Sequence, residues 1–339
     1  MNQVLSAEAA MARAIECARL GLGKTFPNPI VGAVITSASG EFISEGFHQG
    51  TDHAEVIAIN AAASIPAGSI IYVSLEPCNH HGKTPPCTDA IIKSGISKVV
   101  FAVSDPNPIA AGGAKHLQGA GIEVESGICY EEASYANRAW LTKITNDRPR
   151  ITWKIASTMD GKVAASDGSS KWITGELARA DVALMRSQAD AIVTTTATVK
   201  ADDPLLTSKG LGNNPIRIVM GNTENANSSQ IFGKDAETVI IKSRDPKELI
   251  AFANERGFNQ LLIESGPTFG TALLSQNLID EIVLFQAPTF LGSGTPSISD
   301  LGITNITGRL DFEIADVEII GADLKITLVK SAKSTESGR

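Results

Sequence analysis

The sequence predicts an α/β protein built as two domains. Three observations carry that prediction: a length of 339 residues, which exceeds one typical domain, an alternation of β-rich and helical segments through both halves, and a non-helical break at Asn146-Asp147-Arg148-Pro149. Apolar residues make up 43% and charged residues 19% of the chain, enough to bury a core in each half. The boundary is placed near Asp147, giving domains 1–147 and 148–330 and a polar tail over 331–339.

Ser6 is positioned to cap a helix whose apolar stripe is Met11, Ala14, Ile15 and Ala18 and which ends near Gly21 or Gly23. The prolines of Thr25-Phe26-Pro27-Asn28-Pro29 make a non-helical loop. Ile30 to Thr36 reads as a strand, Ser37 to Gly40 as a turn and Glu41 to Phe47 as the hairpin partner. A helix follows from His53 through Ala63, a strand from Ser69 to Leu75, and a helix from Thr88 to Ser94 that Gly95 stops. Lys98 to Val103, Gly113 to Gly119 and Ile122 to Glu125 read as strand, helix and strand, which makes the first half a three-layer α/β domain. Asn137 to Thr145 ends a helix before the break.

In the second half, Ile151 to Ser157, Ala191 to Thr196, Ile216 to Met220, Thr238 to Lys242, Leu261 to Glu264 and Glu281 to Phe285 read as strands. Helices are predicted over Glu176 to Ser187, Lys247 to Glu255 and Thr268 to Ser275, so a second α/β sheet follows the first.

Composition restricts the function. A formal charge of −8 lacks the basic excess that phosphate-backbone binding needs, which disfavours nucleic acid. No apolar run approaches the roughly 20 residues of a membrane span. Four cysteines are too few for a disulfide scaffold and thiolate ligands need a reducing compartment, so the expected location is the cytoplasm. Cys17 and Cys129 are expected as buried spectators.

The chemistry is concentrated in His53-Ala54-Glu55 and in the run from Pro77-Cys78 to Pro86-Cys87. One imidazole and two thiolates can hold zinc with three protein ligands, leaving the fourth tetrahedral position for water, whereas a structural zinc normally closes all four. Zinc deaminases carry His-x-Glu followed by Pro-Cys-x-x-Cys, with the glutamate outside the coordination sphere as proton shuttle. Here eight residues separate Cys78 from Cys87, a longer loop that points to a distinct subfamily. Taken singly, each cysteine reads as a small core residue and His53 as a satisfied core histidine; their joint spacing points to metal. His80 and His81 are expected in the pocket or loop rather than as ligands. Both ligand segments meet helix N-termini, whose partial positive charge stabilises thiolates.

The second half has no Gly-x-Gly-x-x-Gly fingerprint after a strand. The turn Glu264-Ser265-Gly266-Pro267-Thr268-Phe269-Gly270 instead joins a strand to a helix, where free amides and the helix dipole could receive a pyrophosphate; taken alone it reads as a plain glycine turn.

With Pro27-Asn28-Pro29-x-Val31-Gly32-Ala33-Val34, Leu75-Glu76-Pro77-Cys78, His80-His81-Gly82-Lys83-Thr84-Pro85-Pro86-Cys87 and Asp105-Pro106-Asn107-Pro108, the chain resembles the bifunctional riboflavin-biosynthesis pyrimidine deaminase/reductase family. Thr158-Met159-Asp160-Gly161-Lys162, Ser170-Lys171-Trp172-Ile173-Thr174 and Ala197-Thr198-Val199-x-Ala201-Asp202-Asp203-Pro204-x-Leu206-Thr207 continue the match. The resemblance implies a cytidine-deaminase-like domain followed by a dihydrofolate-reductase-like one. In the first, His53, Cys78 and Cys87 hold Zn2+, Glu55 moves protons and Asn28 lies near the pyrimidine. In the second, Ala156, Trp172, Thr198, Asp202 and the loop Gly266, Pro267, Thr268, Phe269, Gly270, Thr271 and Ala272 contact NADPH. Ser170, Arg186, Leu206, Lys209 and Glu264 face the substrate, a phosphorylated pyrimidine, and Arg186 can bind a phosphate bidentately. A homo-oligomer is also implied.

Four positions depart from the family pattern. The His48 to His53 loop is two residues short, Lys209 stands for an arginine, Ser265 for a glycine and Gly221-Asn222 for an Asp-Ser pair. Lysine keeps the charge and loses the fork; Ser265 matters if its backbone needs positive φ. Two other readings stay open on the residues: a nucleoside or nucleotide deaminase with a non-catalytic second domain, and a zinc-stabilised binding module.

Overall fold

The computed structural model describes residues 3–82, 84–222 and 228–330. Lys83 and the expected tail 331–339 lie outside the described residues. The chain forms two compact units that meet in sequence between Asp147 and Arg148.

The first unit is a five-stranded sheet between two helical layers. Its strands are β1 (Gly32–Thr36), β2 (Phe42–Phe47), β3 (Ile70–Leu75), β4 (Lys98–Val103) and β5 (Glu123–Ser126), in the order β2-β1-β3-β4-β5. β1 pairs antiparallel with β2 and β3, whereas β3, β4 and β5 run parallel. Side chains alternate across the sheet, so neighbouring positions feed two different cores. Val34, Tyr72 and Val100 pack with α1 (Ala7–Arg19), α5 (Tyr130–Ala136) and α6 (Arg138–Asn146) on one face. Ile35, Ile71 and Val99 pack with α2 (Ala54–Ala61), α3 (Cys87–Ser94) and α4 (Gly113–Gly119) on the other. Ser6 caps α1 through its side chain, and Gly95 in the left-handed conformation ends α3.

Three details differ from expectation. The first strand begins at Gly32 rather than Ile30, because the backbone of Ile30 is bound on both sides by the Asn137 side chain, which accepts from Ile30 N at 3.0 Å and donates to Ile30 O at 2.6 Å. The helix before the boundary is two helices, α5 and α6, with Asn137 between them. Cys17 is buried as expected, but Cys129 is only half-buried and heads α5 at φ 54°.

The second unit holds an eight-stranded sheet, ordered β10-β9-β8-β11-β6-β12-β15-β14. Its strands are β6 (Arg150–Thr158), β8 (Ala191–Thr195), β9 (Ile216–Met220), β10 (Thr238–Ile241), β11 (Gln260–Ile263), β12 (Glu281–Ala287), β14 (Phe312–Ile320) and β15 (Asp323–Lys330). The six from β10 to β12 are parallel, and β15 and β14 extend the sheet antiparallel. A separate ribbon pairs β7 (Lys162–Ala164) with β13 (Thr295–Pro296). The helices α9 (Pro246–Glu255) and α10 (Pro267–Ser275) cover one face through Leu249, Phe269 and Leu273. On the other face, α7 (Glu176–Gln188) and α8 (Thr196–Asp202) bury Ala178, Val182 and Val199. Helix α8 and strands β14 and β15 carry no expectation from the sequence, and Thr196, read there as strand, opens α8.

Candidate active sites

The metal-ligand candidates converge because each stands where an element begins or ends. His53 is the N-cap of α2, Cys87 is the first residue of α3, and Cys78 lies three residues beyond β3. Their donor atoms all fall within 4.8 Å of one another. His53 Nδ1 is 3.0 Å from Cys87 Sγ and 3.5 Å from Cys78 Sγ, and Cys87 N donates to Cys78 Sγ at 3.5 Å.

This crowding sets the charge state. The Cys87 thiol at hydrogen-bond distance is the largest influence on Cys78 and lowers its pKa to about 4, with burial opposing and His53 assisting. Cys87, the partner left holding the proton, is pushed up, by that same contact first and by burial second. His53 is raised, chiefly by its contact with Cys78. Two soft sulfurs and one imidazole nitrogen at one point, with a thiolate among them, suit zinc and leave one tetrahedral position without a protein ligand.

Glu55, in the first turn of α2, is 3% exposed, and its Oε2 has no hydrogen-bond partner among the described residues. Burial raises its pKa, with the negative charge of Cys78 adding to the effect. A buried carboxyl with an uncommitted oxygen is costly unless something is meant to engage it. It lines a cavity of about 480 Å³ together with Asn28, His48, His53, Cys78, His80 and Asp105. Asn28 Nδ2 lies 3.4 Å from His48 Nε2, and His48 is held below its ordinary pKa by burial, then by His53. His80 thus lines the cavity and stands outside the three-donor cluster, as expected.

Glu76 and Asp105, not singled out individually by the sequence, hold the cavity wall. Glu76 accepts from the backbone N–H of Asp105 at 3.2 Å and of Ala114 at 3.0 Å. Burial lifts the Asp105 carboxyl to about 6.

In the second unit the candidates gather at the carboxyl ends of the parallel strands, the usual ligand side of such a sheet. Glu264, directly after β11, is 7% exposed and receives Arg186 from α7 through two bonds of 2.6 and 2.9 Å. Lys154 on β6 adds a third contact at 3.1 Å, a residue that no motif marks. Burial alone would raise Glu264, but the two cations hold it down at about 2, an ionised carboxylate. The bidentate fork expected of Arg186 is therefore present, but it grips Glu264, and its remaining arm donates to Thr207 O at 3.2 Å.

Ser170 donates to Asp202 at 3.0 Å, and Gly266 N donates to Thr198 Oγ1 at 3.2 Å. The first bond ties a residue expected at the substrate to one expected at the cofactor, and the second joins two expected cofactor segments. Gly266 has open space where a Cβ would stand, its nearest neighbour being Thr198 Oγ1 at 4.0 Å, so the N-terminus of α10 is a cradle that fits a pyrophosphate. The stretch Gly266 to Ala272 is not uniform: Phe269 packs in the core, Gly270 abuts Trp153, and Thr271 accepts from Ser299 N at 2.9 Å. Ser265 is not among the residues at positive φ, so serine in place of glycine strains nothing there. Trp172 is 70% exposed under the Arg179 guanidinium, and Lys209 is exposed at φ 53°. Ala156 pairs with Phe285 of β12, and Leu206 is buried against the α8 core.

Comparison with known proteins gives these sites a context. Residues 5–103 match the cytidine and deoxycytidylate deaminase zinc-binding region, and residues 149–326 match the RibD C-terminal domain. This chain belongs to the RibD family. The riboflavin biosynthesis protein RibD of Mycobacterium tuberculosis is 41% identical over 97% of this chain and 99% of its own length. A crystal structure of a diaminohydroxyphosphoribosylaminopyrimidine deaminase/5-amino-6-(5-phosphoribosylamino)uracil reductase from Thermotoga maritima is 33% identical, with TM-score 0.89 over 96% of this chain and 99% of that one. Acinetobacter baumannii RibD is similar at 34% identity and TM-score 0.87, over the same shares of the two chains. Family membership accounts for zinc and NADPH as cofactors and for the succession of a cytidine-deaminase-like and a dihydrofolate-reductase-like domain. Among the described residues no helix is long and apolar enough to cross a membrane.

Proposed function

We propose that this chain is a bifunctional enzyme of riboflavin biosynthesis, with residues 1–147 as deaminase and 148–330 as reductase. The first removes the 2-amino group of 2,5-diamino-6-(5-phosphoribosylamino)pyrimidin-4-one as ammonia, and the second reduces the ribosyl group to ribityl. The observation that carries the reading is the convergence of His53, Cys78 and Cys87 beside the buried Glu55 carboxyl, whose Oε2 is uncommitted among the described residues, at one cavity.

His53, Cys78 and Cys87 would hold the zinc, which when bound lowers the pKa of a coordinated water to about 7. Glu55 takes one proton from the attacking water and passes it to the ring nitrogen, then takes the remaining proton of the added hydroxyl and delivers it to the amine, which leaves as ammonia as the C–N bond breaks and the carbonyl forms. Its raised pKa suits both directions of transfer. Asn28 and His48 line the same cavity and orient the pyrimidine.

NADPH supplies the hydride of the second step. The amides at the start of α10 and the Thr198 hydroxyl hold the dinucleotide, while Glu264, kept ionised by Arg186 and Lys154, bounds the place of the sugar with Ser170. Positioning the sugar C1′ against the nicotinamide is the main task of these groups. The reading includes a cytoplasmic location and a homo-oligomer.

The test is a coupled assay on zinc-loaded protein that follows ammonia release and NADPH oxidation. Glu55→Ala is expected to lose ammonia release by at least about 100-fold and to keep both its zinc and NADPH oxidation with pre-deaminated substrate. Full ammonia release by Glu55→Ala would sink the assigned role, and wild-type protein without either activity would sink the substrate.

A further inference from the structure

The carboxyl-end crevice of the second sheet continues past the α10 cradle to a cation that neither site uses. In β8, β9 and β10 the last residues are level: Thr195 pairs with Met220, and Ile241 pairs with Met220 from the other side. Gly221 follows β9 at once, its N–H donating to Ile241 O at 2.8 Å. Arg244 follows β10, is exposed, and has no carboxylate or hydrogen-bond partner among the described residues.

Gly221 has φ +108°, and a Cβ built on it would lie 2.4 Å from Thr196 Oγ1 and 3.3 Å from Arg244 Nε. Glycine therefore keeps a gap open between a hydroxyl and a guanidinium. The Thr196 hydroxyl spends its proton on Met220 O at 3.0 Å, which leaves Arg244 as the donor facing that gap. The gap lies two strands from the one that feeds α10, on the order of 10 Å away at the usual strand spacing. An adenosine ribose hung from a pyrophosphate at α10 covers that distance together with an arginine side chain.

We propose that Arg244, beside the open Cα of Gly221, binds the 2′-phosphate of NADPH and so sets the preference for NADPH over NADH. The proposal rests on the reading of this unit as an NADPH reductase. A guanidinium donates two parallel hydrogen bonds to a phosphate and none of comparable strength to a bare 2′-hydroxyl. The Asp that the family pattern would put at position 221 has no room here, its Cβ falling against Thr196 Oγ1, so in this chain glycine leaves the space beside the Arg244 guanidinium open.

Calorimetric titration of the full chain with NADPH, NADH, adenosine 2′,5′-bisphosphate and AMP tests this without turnover. Arg244→Ala is expected to weaken NADPH and the bisphosphate by about 30-fold or more, to leave NADH and AMP within about twofold, and to be partly restored in Arg244→Lys. An unchanged NADPH affinity, or an equal loss for both dinucleotides, overturns the proposal and makes Arg244 a solvated surface residue. Equal wild-type affinity for NADPH and NADH overturns it while the reductase reading stands. Wild-type protein that binds neither dinucleotide removes both.

Discussion

Arg217 shows how one residue can hold a site it does not touch. It sits in β9 with no exposure, and no carboxylate faces it at ion-pair distance among the described residues; its partners are the carbonyls of Leu205 at 3.1 Å, Gly233 at 2.7 Å and Ala236 at 2.6 Å. Burial lowers its pKa, with the charge of Asp235 opposing; the three carbonyls engage its two terminal nitrogens, while its Nε has no partner among the described residues. The bond to Leu205 fixes the segment before Leu206, which adopts φ 51°, and Thr207, whose carbonyl receives Arg186. Arg217→Met fills the volume but leaves three part-buried carbonyls without their donor, so the second unit should lose on the order of 2 kcal/mol. The urea midpoint of NADPH-binding protein measures this, and a loss below about 1 kcal/mol would show that the clamp does little.

At the scale of elements, α10 depends on an approach that only glycine allows. A Cβ on Gly270 would lie 2.0 Å from the ring of Trp153, itself 1% exposed in the core of the sheet. Gly270→Ala must push α10 off β6 and carry the Gly266 amides away from Thr198. The expected loss is about 1 to 3 kcal/mol with weaker NADPH binding, while ammonia release stays intact. Thermal unfolding and nucleotide titration of the same variant check both, and unchanged nucleotide affinity would separate the helix from the cofactor. The sequence marked α10 because Gly266-Pro267 is a start signal ahead of an apolar run. It marked His53, Glu55, Cys78 and Cys87 because each lies at an element end that proline, glycine or the motif spacing defines. Lys154 was not legible, since on β6 it is one of several polar residues beside Arg150, Thr152, Ser157 and Thr158, and no spacing sets it apart. Its meaning appears only when parallel pairing sets Ile263 against Trp153 and brings Glu264 to its side. β14 and β15 stayed hidden because charged residues interrupt their apolar runs and the Gly321-Ala322 loop that joins them lacks the Asn-Gly or Asp-Gly pair that marks a hairpin most strongly.

At the scale of the molecule, the antiparallel extension leaves β14 as an edge of the eight-stranded sheet. Ile314, Val317 and Ile319 are 67%, 52% and 80% exposed along it, an apolar row beside unpaired backbone groups. Such an edge is an aggregation hazard unless it is charged, shortened or covered. β14 carries Glu313, Asp316 and Glu318, but it is nine residues long, so its charges only partly blunt it. Isolated exposed apolar residues are ordinary, whereas a contiguous row on a sheet edge marks an association surface. A second copy of this chain is the simplest cover, because a two-fold axis lets the same strand meet itself. The wild-type protein should therefore exceed the mass of one chain in light scattering, and Val317→Lys with Ile319→Lys should reduce it to that mass. The substituted side chains start in solvent, so the monomer should keep its fold and ammonia release. A wild-type mass of one chain at micromolar concentration would remove the homo-oligomer, and an unchanged mass in the double variant would move the interface to another face.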